Sequence, residues 1–80
     1  MDDKQHYGYD SSDAWRNAVM QRSSGISDME SRQRREIAAA HNLKEGIQDA
    51  DTLADQEMYI LGKMSLEEYQ DYLLFKHSKR

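Results

Sequence analysis

Apolar residues in the first third of the chain recur at helical spacing after a polar start. Trp15, Ala18 and Val19 fall at i, i+3 and i+4, which predicts a short helix from residue 12 or 13 to about residue 22. Residues 1–11 show no such period, so we expect them to form a tail. Beyond this helix, the chain contains no proline, and three glycines divide the rest of it: Gly25, Gly46 and Gly62.

Two capping boxes predict where later helices begin. Ser27 precedes Glu30 and Ser65 precedes Glu68 at the Ser-x-x-Glu spacing, which satisfies orphan backbone N–H groups in a first helical turn. The first box begins the longest helix, at about residues 28–45, whose first half is charged and whose second half is small or apolar. This profile is typical of a helix that enters a groove on another protein.

The remaining pattern predicts two more helices. One begins near residues 49–52 and ends at Leu61, with Leu53 and Ile60 as further apolar anchors. The last runs from the second box to about His77, and one of its faces carries Leu66, Tyr69, Tyr72, Leu73 and Lys76. No strand pattern competes with these helices. We therefore expect an all-α protein of three to four helices.

Composition changes this picture in one respect. The chain has 80 residues and a net charge of −4, and Leu, Ile, Val and Phe together number only 12. A chain this short buries only about 60–65% of its unfolded surface. It also has no cysteine that could supply a disulfide or a thiolate metal site. We therefore expect the helices to extend around a partner rather than to pack well alone.

Most catalytic and ligand-binding chemistry is disfavoured. His41 and Glu45 share a helix face at i, i+4, but no third metal ligand accompanies them, so we predict no metal site. The glycines are too far apart for a phosphate-binding loop, and four thin helices cannot enclose a catalytic cavity. We expect neither a cofactor nor enzymatic activity.

Membrane and nucleic-acid functions are also disfavoured. The apolar runs are far shorter than the roughly 20 residues of a membrane span, and the acidic start does not resemble a signal peptide. We therefore expect a soluble, cytoplasmic protein. Arg32, Arg34 and Arg35 form a basic cluster, but residues 26–47 carry no net charge. A solvated helix face is the preferred interpretation of that cluster, with nucleic-acid binding as the alternative.

Glu45 is an anomaly in this pattern. It stands in the last turn of the long helix, where a carboxylate is unfavourable by about 0.3–1 kcal/mol because the terminal carbonyls are unsatisfied. One interpretation is an exposed carboxylate that water screens. The other is a carboxylate presented to a cation on another protein, for which arginine offers two parallel hydrogen bonds.

The order of these elements resembles the VbhA-type antitoxins, small partners that inhibit Fic-domain adenylyltransferases. The resemblance covers about residues 28–77, and it rests on Glu45-Gly46 at the end of the long helix and on the later Gly-x-x-Ser-x-x-Glu that opens the last one. The family carries Ser or Thr, three residues, Glu, then Gly or Asn. His41 stands at the hydroxyl position here and can also donate or accept a hydrogen bond.

The resemblance implies a function and a set of contacts. Glu45 would pair with the arginine that normally holds the γ-phosphate of ATP, Gly46 would provide the close helix end, and His41 would support them. Residues 1–25 lie outside the resemblance and 26–80 would form the antitoxin-like domain, bound to a Fic toxin as a one-to-one heterodimer. The implied partner-binding residues are Ile37, Ala40, Leu43, Ile60, Leu61, Tyr69 and Leu73. A helical adaptor for some other enzyme is the alternative function.

Overall fold

The computed structural model of the protein describes residues 8–78. These residues form α1 (Ser12–Met20), α2 (Asp28–Glu45), α3 (Ala50–Ile60) and α4 (Leu66–His77), and they contain no strand. The predicted all-α architecture is therefore confirmed. Of the predicted tail, residues 1–7 lie outside the described residues.

Local capping explains the starts of the later helices. The side chain of Ser27 accepts a 3.1 Å hydrogen bond from the N–H of Glu30, and that of Ser65 accepts a 3.0 Å bond from the N–H of Glu68. Asp49 caps α3 in the same way. Both predicted boxes thus begin helices at the predicted residues, because each cap depends only on neighbours within one turn.

Glycines close α2 and α3 as expected. Gly46 follows α2 at φ 72° and Gly62 lies just after α3 at φ 73°, in the left-handed region that L side chains rarely adopt. The N–H of Ile47 returns to the carbonyl of Asn42 over 2.8 Å, which satisfies one of the last carbonyls of α2. The first helix ends at Met20 rather than near residue 22, and the chain turns there toward α2.

The core lies where α1, α3 and α4 meet. Trp15 packs edge-on against Tyr72 of α4, with ring centroids 5.4 Å apart. The other buried apolar side chains of this cluster are Val19, Met58 and Met64. The first helix therefore belongs to the same core as the helices that follow α2.

A charged group is buried beside this core. Asp55 of α3 is only 2% exposed, and its carboxylate accepts hydrogen bonds from Tyr72 (2.7 Å), Arg16 (2.8 Å) and Lys76 (2.6 Å). Burial and the bond to Asp55 raise the pKa of Tyr72 well above its usual range. Three donors from two other helices thus compensate the buried carboxylate, because an unpaired one would be very unfavourable.

The inward face of α3 differs from the predicted one. Leu53 was expected to be an apolar anchor, but it lies on the exposed side, whereas Asp55 and Met58 point inward. Ile60 is buried as predicted. The expectation for Leu53 was wrong. Hydropathy alone places an aspartate at the surface, but hydrogen-bond donors from α1 and α4 offset the cost of burying Asp55.

The peripheral element is α2, the longest helix. None of its side chains is buried, and it packs chiefly against α3. The whole globule measures 37 × 28 × 18 Å. The helices were expected to extend around a partner, but α1, α3 and α4 pack on a common core within the chain, because Trp15 and Tyr72 fill it. That a partner completes the packing of α2 stays a prediction.

Candidate partner-binding site

Polar side chains attach α2 to α3. Arg35 donates two hydrogen bonds to the carboxylate of Glu57, at 2.6 and 3.2 Å. Near the C-terminal end of α2, the side-chain amides of Asn42 and Gln56 donate one hydrogen bond to each other, at 2.8 and 2.9 Å. These contacts hold one side of α2 at two points along its length and leave its other sides accessible.

Arg34 adds a third attachment. Its guanidinium lies 4.1 Å from the ring centroid of Tyr59 and donates a 2.8 Å bond to the carbonyl of that residue. It also pairs with Glu30 one turn earlier. The basic cluster predicted as a solvated face is therefore partly structural, since Arg34 and Arg35 both bind α3 and only Arg32 has no such contact among the described residues.

Three exposed apolar side chains wind around α2. Ile37 is 70% exposed and Leu43 is 86% exposed, with the exposed Ala40 between them. Three-residue steps advance about 300° around a helix, so these side chains form a stripe that drifts around α2. The sequence assigned all three to partner binding, and in the free chain they face solvent.

A second feature is a cleft of about 480 Å³ between α2, α3 and α4. Tyr59 and Tyr69 stack in its lining, with ring centroids 5.9 Å apart. The full lining is Arg34, Ile37, Ala38, His41, Gln56, Tyr59, Ile60, Leu66, Tyr69 and Leu73. We call this feature the cleft below, and its volume lies within the range of about 300–1,000 Å³ typical of binding pockets.

The cleft brings together only some of the predicted contact residues. Ile37, Ile60, Tyr69 and Leu73 line it, and so does His41. The other three predicted residues do not line the cleft: Ala40, Leu43 and Leu61. Leu43 is about 200° around α2 from His41, so the predicted set divides between two sides of one helix.

Glu45 lies at the end of the cleft side of α2. It follows His41 by four residues, a spacing that places both on one helix face. The carboxylate is exposed and pairs with no other side chain in the described part of the chain. Gly46 directly follows it, and a Cβ placed there would meet nothing within 4 Å. Glycine is therefore required at this position for its positive φ and not to avoid a steric clash.

Sequence reasoning missed several residues of the cleft. Gln56, Tyr59 and Leu66 line it, yet none of them had been assigned to a site, and Arg34 had been considered only for nucleic-acid binding. Arg34, Ala38, His41 and Glu45 are spaced four, three and four residues apart, so the sequence could have indicated that they share one face of α2. Their relation to Tyr59 depends on how α2 crosses α3, which no local pattern specifies.

Metal and membrane features are limited within residues 8–78. No cluster of three or more His, Asp or Glu side chains there is arranged to hold a metal ion. Nor does any helix in that range combine the length and apolar character needed to cross a bilayer. Comparison with known proteins finds no matching family, curated protein or solved structure for this chain.

Proposed function

We propose that the chain is an inhibitory antitoxin of a Fic-domain adenylyltransferase. The motif resemblance around Glu45-Gly46 suggests this function. The structural observation that carries it is the exposed, unpaired carboxylate of Glu45 at the end of α2. A carboxylate at this unfavourable end of a helix is available to a cation from another protein.

The attachment of α2 supports such a role. Arg34, Arg35 and Asn42 hold the helix on α3 as far as its last turn, and Glu45 lies beyond the last of these contacts. The carboxylate is therefore presented from a helix whose direction is already set. Preorganisation of this kind reduces the entropy lost on binding.

The inhibitory step follows from charge and position. In Fic enzymes, an arginine late in the Fic motif holds the γ-phosphate of ATP while AMP is transferred to a hydroxyl side chain. A carboxylate that pairs with this arginine removes the anchor and places negative charge beside the phosphate. ATP is then excluded or held out of line, and a displacement of about 1 Å can reduce the rate about a hundredfold.

The two sides of α2 divide the remaining contacts. The exposed apolar side chains Ile37, Ala40 and Leu43, which wind from the cleft side of α2 to its outer side, would enter a groove on the toxin. His41 would act beside Glu45, because both lie on the cleft side of the helix. The other proposed toxin contacts are Ile60, Leu61, Tyr69 and Leu73. The complex would be a one-to-one heterodimer.

The test is an adenylylation assay with a Fic enzyme from the same genome and labelled ATP. The enzyme is assayed alone, with the chain, and with Glu45→Gly or Glu45→Gln. We expect the chain to silence labelling and both variants to restore it while they still co-purify with the enzyme. Glu36→Gln is the matched control, because Glu36 is an exposed, unpaired carboxylate of the same helix.

Two results would contradict the proposal. If the chain does not associate with the enzyme, the Fic resemblance is misleading and the adaptor function replaces it. If it associates and inhibits but Glu45→Gln inhibits equally well, then inhibition does not depend on the carboxylate.

A further inference from the structure

The longest helix of the protein contributes least to its core. Every side chain of the 18-residue helix α2 is exposed or half-buried, and the helix packs chiefly against α3. By contrast, the buried apolar side chains of the core cluster lie on α1, α3 and α4 or in the turn after α3. Because apolar burial is the main favourable contribution to folding, little of it opposes the separation of α2 from α3.

The polar contacts that attach α2 to α3 are accessible to water. The side chains of Arg35 and Glu57 are 51% and 33% exposed, and those residues that exchange amide hydrogen bonds, Asn42 and Gln56, are half-buried. When the helix separates, water can replace each of these bonds. Exposed ion pairs and hydrogen bonds of this kind contribute little to stability, since water competes for the same groups.

The other three helices are joined to one another by contacts that contain no residue of α2. Asp55 of α3 accepts hydrogen bonds from Arg16 of α1 and from Tyr72 of α4. Trp15 of α1 donates to Glu68 of α4. Each pair among α1, α3 and α4 therefore has its own connection, and these connections can persist when α2 separates.

Both ends of α2 are held near α3. The N–H of Gly25, just before α2, donates a 2.9 Å hydrogen bond to the carbonyl of Gly62, in the turn after α3. Arg22 donates a 2.9 Å bond to the carbonyl of Lys63 in the same turn. At the other end, residues 46–49 lead directly into α3. The helix is therefore a strap that is fastened at both ends, with its weakest contacts between them.

We propose that α2 opens from α3 as one cooperative unit while α1, α3 and α4 stay folded, and that the ion pair of Arg35 with Glu57 controls this opening. A segment with few buried contacts is typical of a unit that opens at a lower free energy than the whole protein. The opening does not depend on the inhibitory function proposed above.

The open state makes part of α3 accessible. Tyr59 lies against the guanidinium of Arg34 in the closed state, and Ile60 is buried although it lies outside the core cluster. Both line the cleft together with Ile37 and Ala38 of α2, so the separation of α2 uncovers them. A ligand of this surface would bind with an affinity reduced by the fraction of open molecules, which makes the strap a control on access.

Native-state hydrogen exchange of the full-length chain, followed by NMR under conditions in which rates report the open population, tests the proposal. In the wild type, the slowest amides of α2 should share one protection factor. They should exchange at least about tenfold faster than the slowest amides of α3 and α4. The opening is then separate from global unfolding.

A core variant distinguishes the two processes. Tyr72→Phe removes the hydrogen bond to Asp55, which both the closed and the open states contain. It should speed exchange of the slowest amides of α4 about two- to tenfold. It should leave the amides of α2 unchanged, because their opening does not disturb the core.

Variants of the ion pair test its control of the strap. Arg35→Glu places two carboxylates opposite each other and should speed exchange of α2 at least about threefold. Because it destabilises only the closed state, the core amides should speed up by the same factor. Combination with Glu57→Arg restores opposite charges and should return the rates to within about twofold of wild type. Arg32→Glu is the matched control, since Arg32 makes no contact with α3 among the described residues, and it should change the rates by less than about twofold.

Three outcomes would overturn the proposal. If Tyr72→Phe speeds α2 and α4 by the same factor, then α2 opens only when the whole chain unfolds. If Arg35→Glu and Arg32→Glu have equal effects, or if the charge swap restores nothing, the ion pair does not control the opening. If circular dichroism shows that Arg35→Glu abolishes folding, the core requires α2 and the helix is not a separate unit.

Discussion

The indole N–H of Trp15 donates a 3.0 Å hydrogen bond to the carboxylate of Glu68, 53 residues away along the chain. Arg22 donates to both oxygens of the same carboxylate, at 2.8 and 2.9 Å. Glu68 is the acidic residue of the second capping box, yet its side chain binds Trp15 and Arg22 in the N-terminal part of the chain. This carboxylate therefore joins α4 to α1 and to the segment that follows α1.

Substitution of Glu68 should destabilise the fold. In Glu68→Gln the charge that Arg22 binds is lost, and a partly buried hydrogen bond of a charged group contributes about 1.5–3 kcal/mol. We expect the free energy of unfolding to fall by about this amount. Urea denaturation followed by Trp15 fluorescence measures it. Glu67→Gln, exposed and unpaired one residue earlier, should change the midpoint little, and equal effects would contradict a special role for Glu68.

The same carboxylate makes stability depend on pH. Burial alone would raise the pKa of Glu68, but hydrogen bonds from Arg22 and Trp15 outweigh it and hold the pKa below its usual value. A lowered pKa contributes stability above the unfolded pKa, about 4.3, and that contribution is lost as pH falls through the folded pKa. The urea midpoint should therefore decline below about pH 4 in the wild type. It should decline less in Glu68→Gln, and parallel profiles would refute the assignment.

The buried Asp55 should be the most sensitive charged position. Asp55→Ala leaves the Tyr72 hydroxyl without its acceptor and leaves Arg16 and Lys76 only the exposed Asp51, and removal of one member of such a buried cluster costs about 3–5 kcal/mol. Tyr72→Phe removes a single hydrogen bond and should cost about 0.5–1.5 kcal/mol. Asp55→Asn should fall between them. Circular dichroism in urea gives the order, and an Asp55→Ala protein as stable as wild type would contradict it.

Two glycines with nearly equal backbone angles provide a matched pair. A Cβ on Gly62 would lie 2.5 Å from Cγ1 of Ile26, whereas one on Gly46 would have open space. Gly46→Ala should therefore cost only the strain of a positive φ, about 1–2 kcal/mol. Gly62→Ala should cost about 1–3 kcal/mol more, because Ile26 must move. Thermal unfolding compares them, and equal losses would show that the close approach is unimportant.

Removal of the N-terminal helix should abolish cooperative folding. A chain of residues 26–80 lacks Trp15 and Val19, which are the largest contribution of α1 to the core, and it exposes Met58 and Tyr72. We expect broad unfolding and poor dispersion in its proton NMR spectrum. The point variant Trp15→Ala should still unfold cooperatively, but its free energy of unfolding should be lower by about 3–5 kcal/mol. A sharply folded 26–80 fragment would instead make that region an independent domain.

Local chemistry made the helices predictable. Ser27 and Ser65 cap N–H groups three residues away, and Gly46 and Gly62 end turns through their own backbone angles. Each of these interactions spans a single turn, so the sequence carries all the information that it needs. The exposed position of Glu45 at a helix end follows from the same local pattern.

Tertiary packing alone decided which side chains meet. The capping-box pattern could not indicate that Glu68 binds Trp15, and hydropathy placed Leu53 rather than Asp55 toward the core. The cost of burying Asp55 is offset by donors from two other helices, and the attraction of Arg34 to Tyr59 exists only once α2 crosses α3. The sequence alone therefore determined the four helices and the caps at which α2, α3 and α4 begin. The burial of charge, the cleft and the two sides of α2 depend on contacts between residues far apart in the chain, whose energies appear only when the helices are assembled.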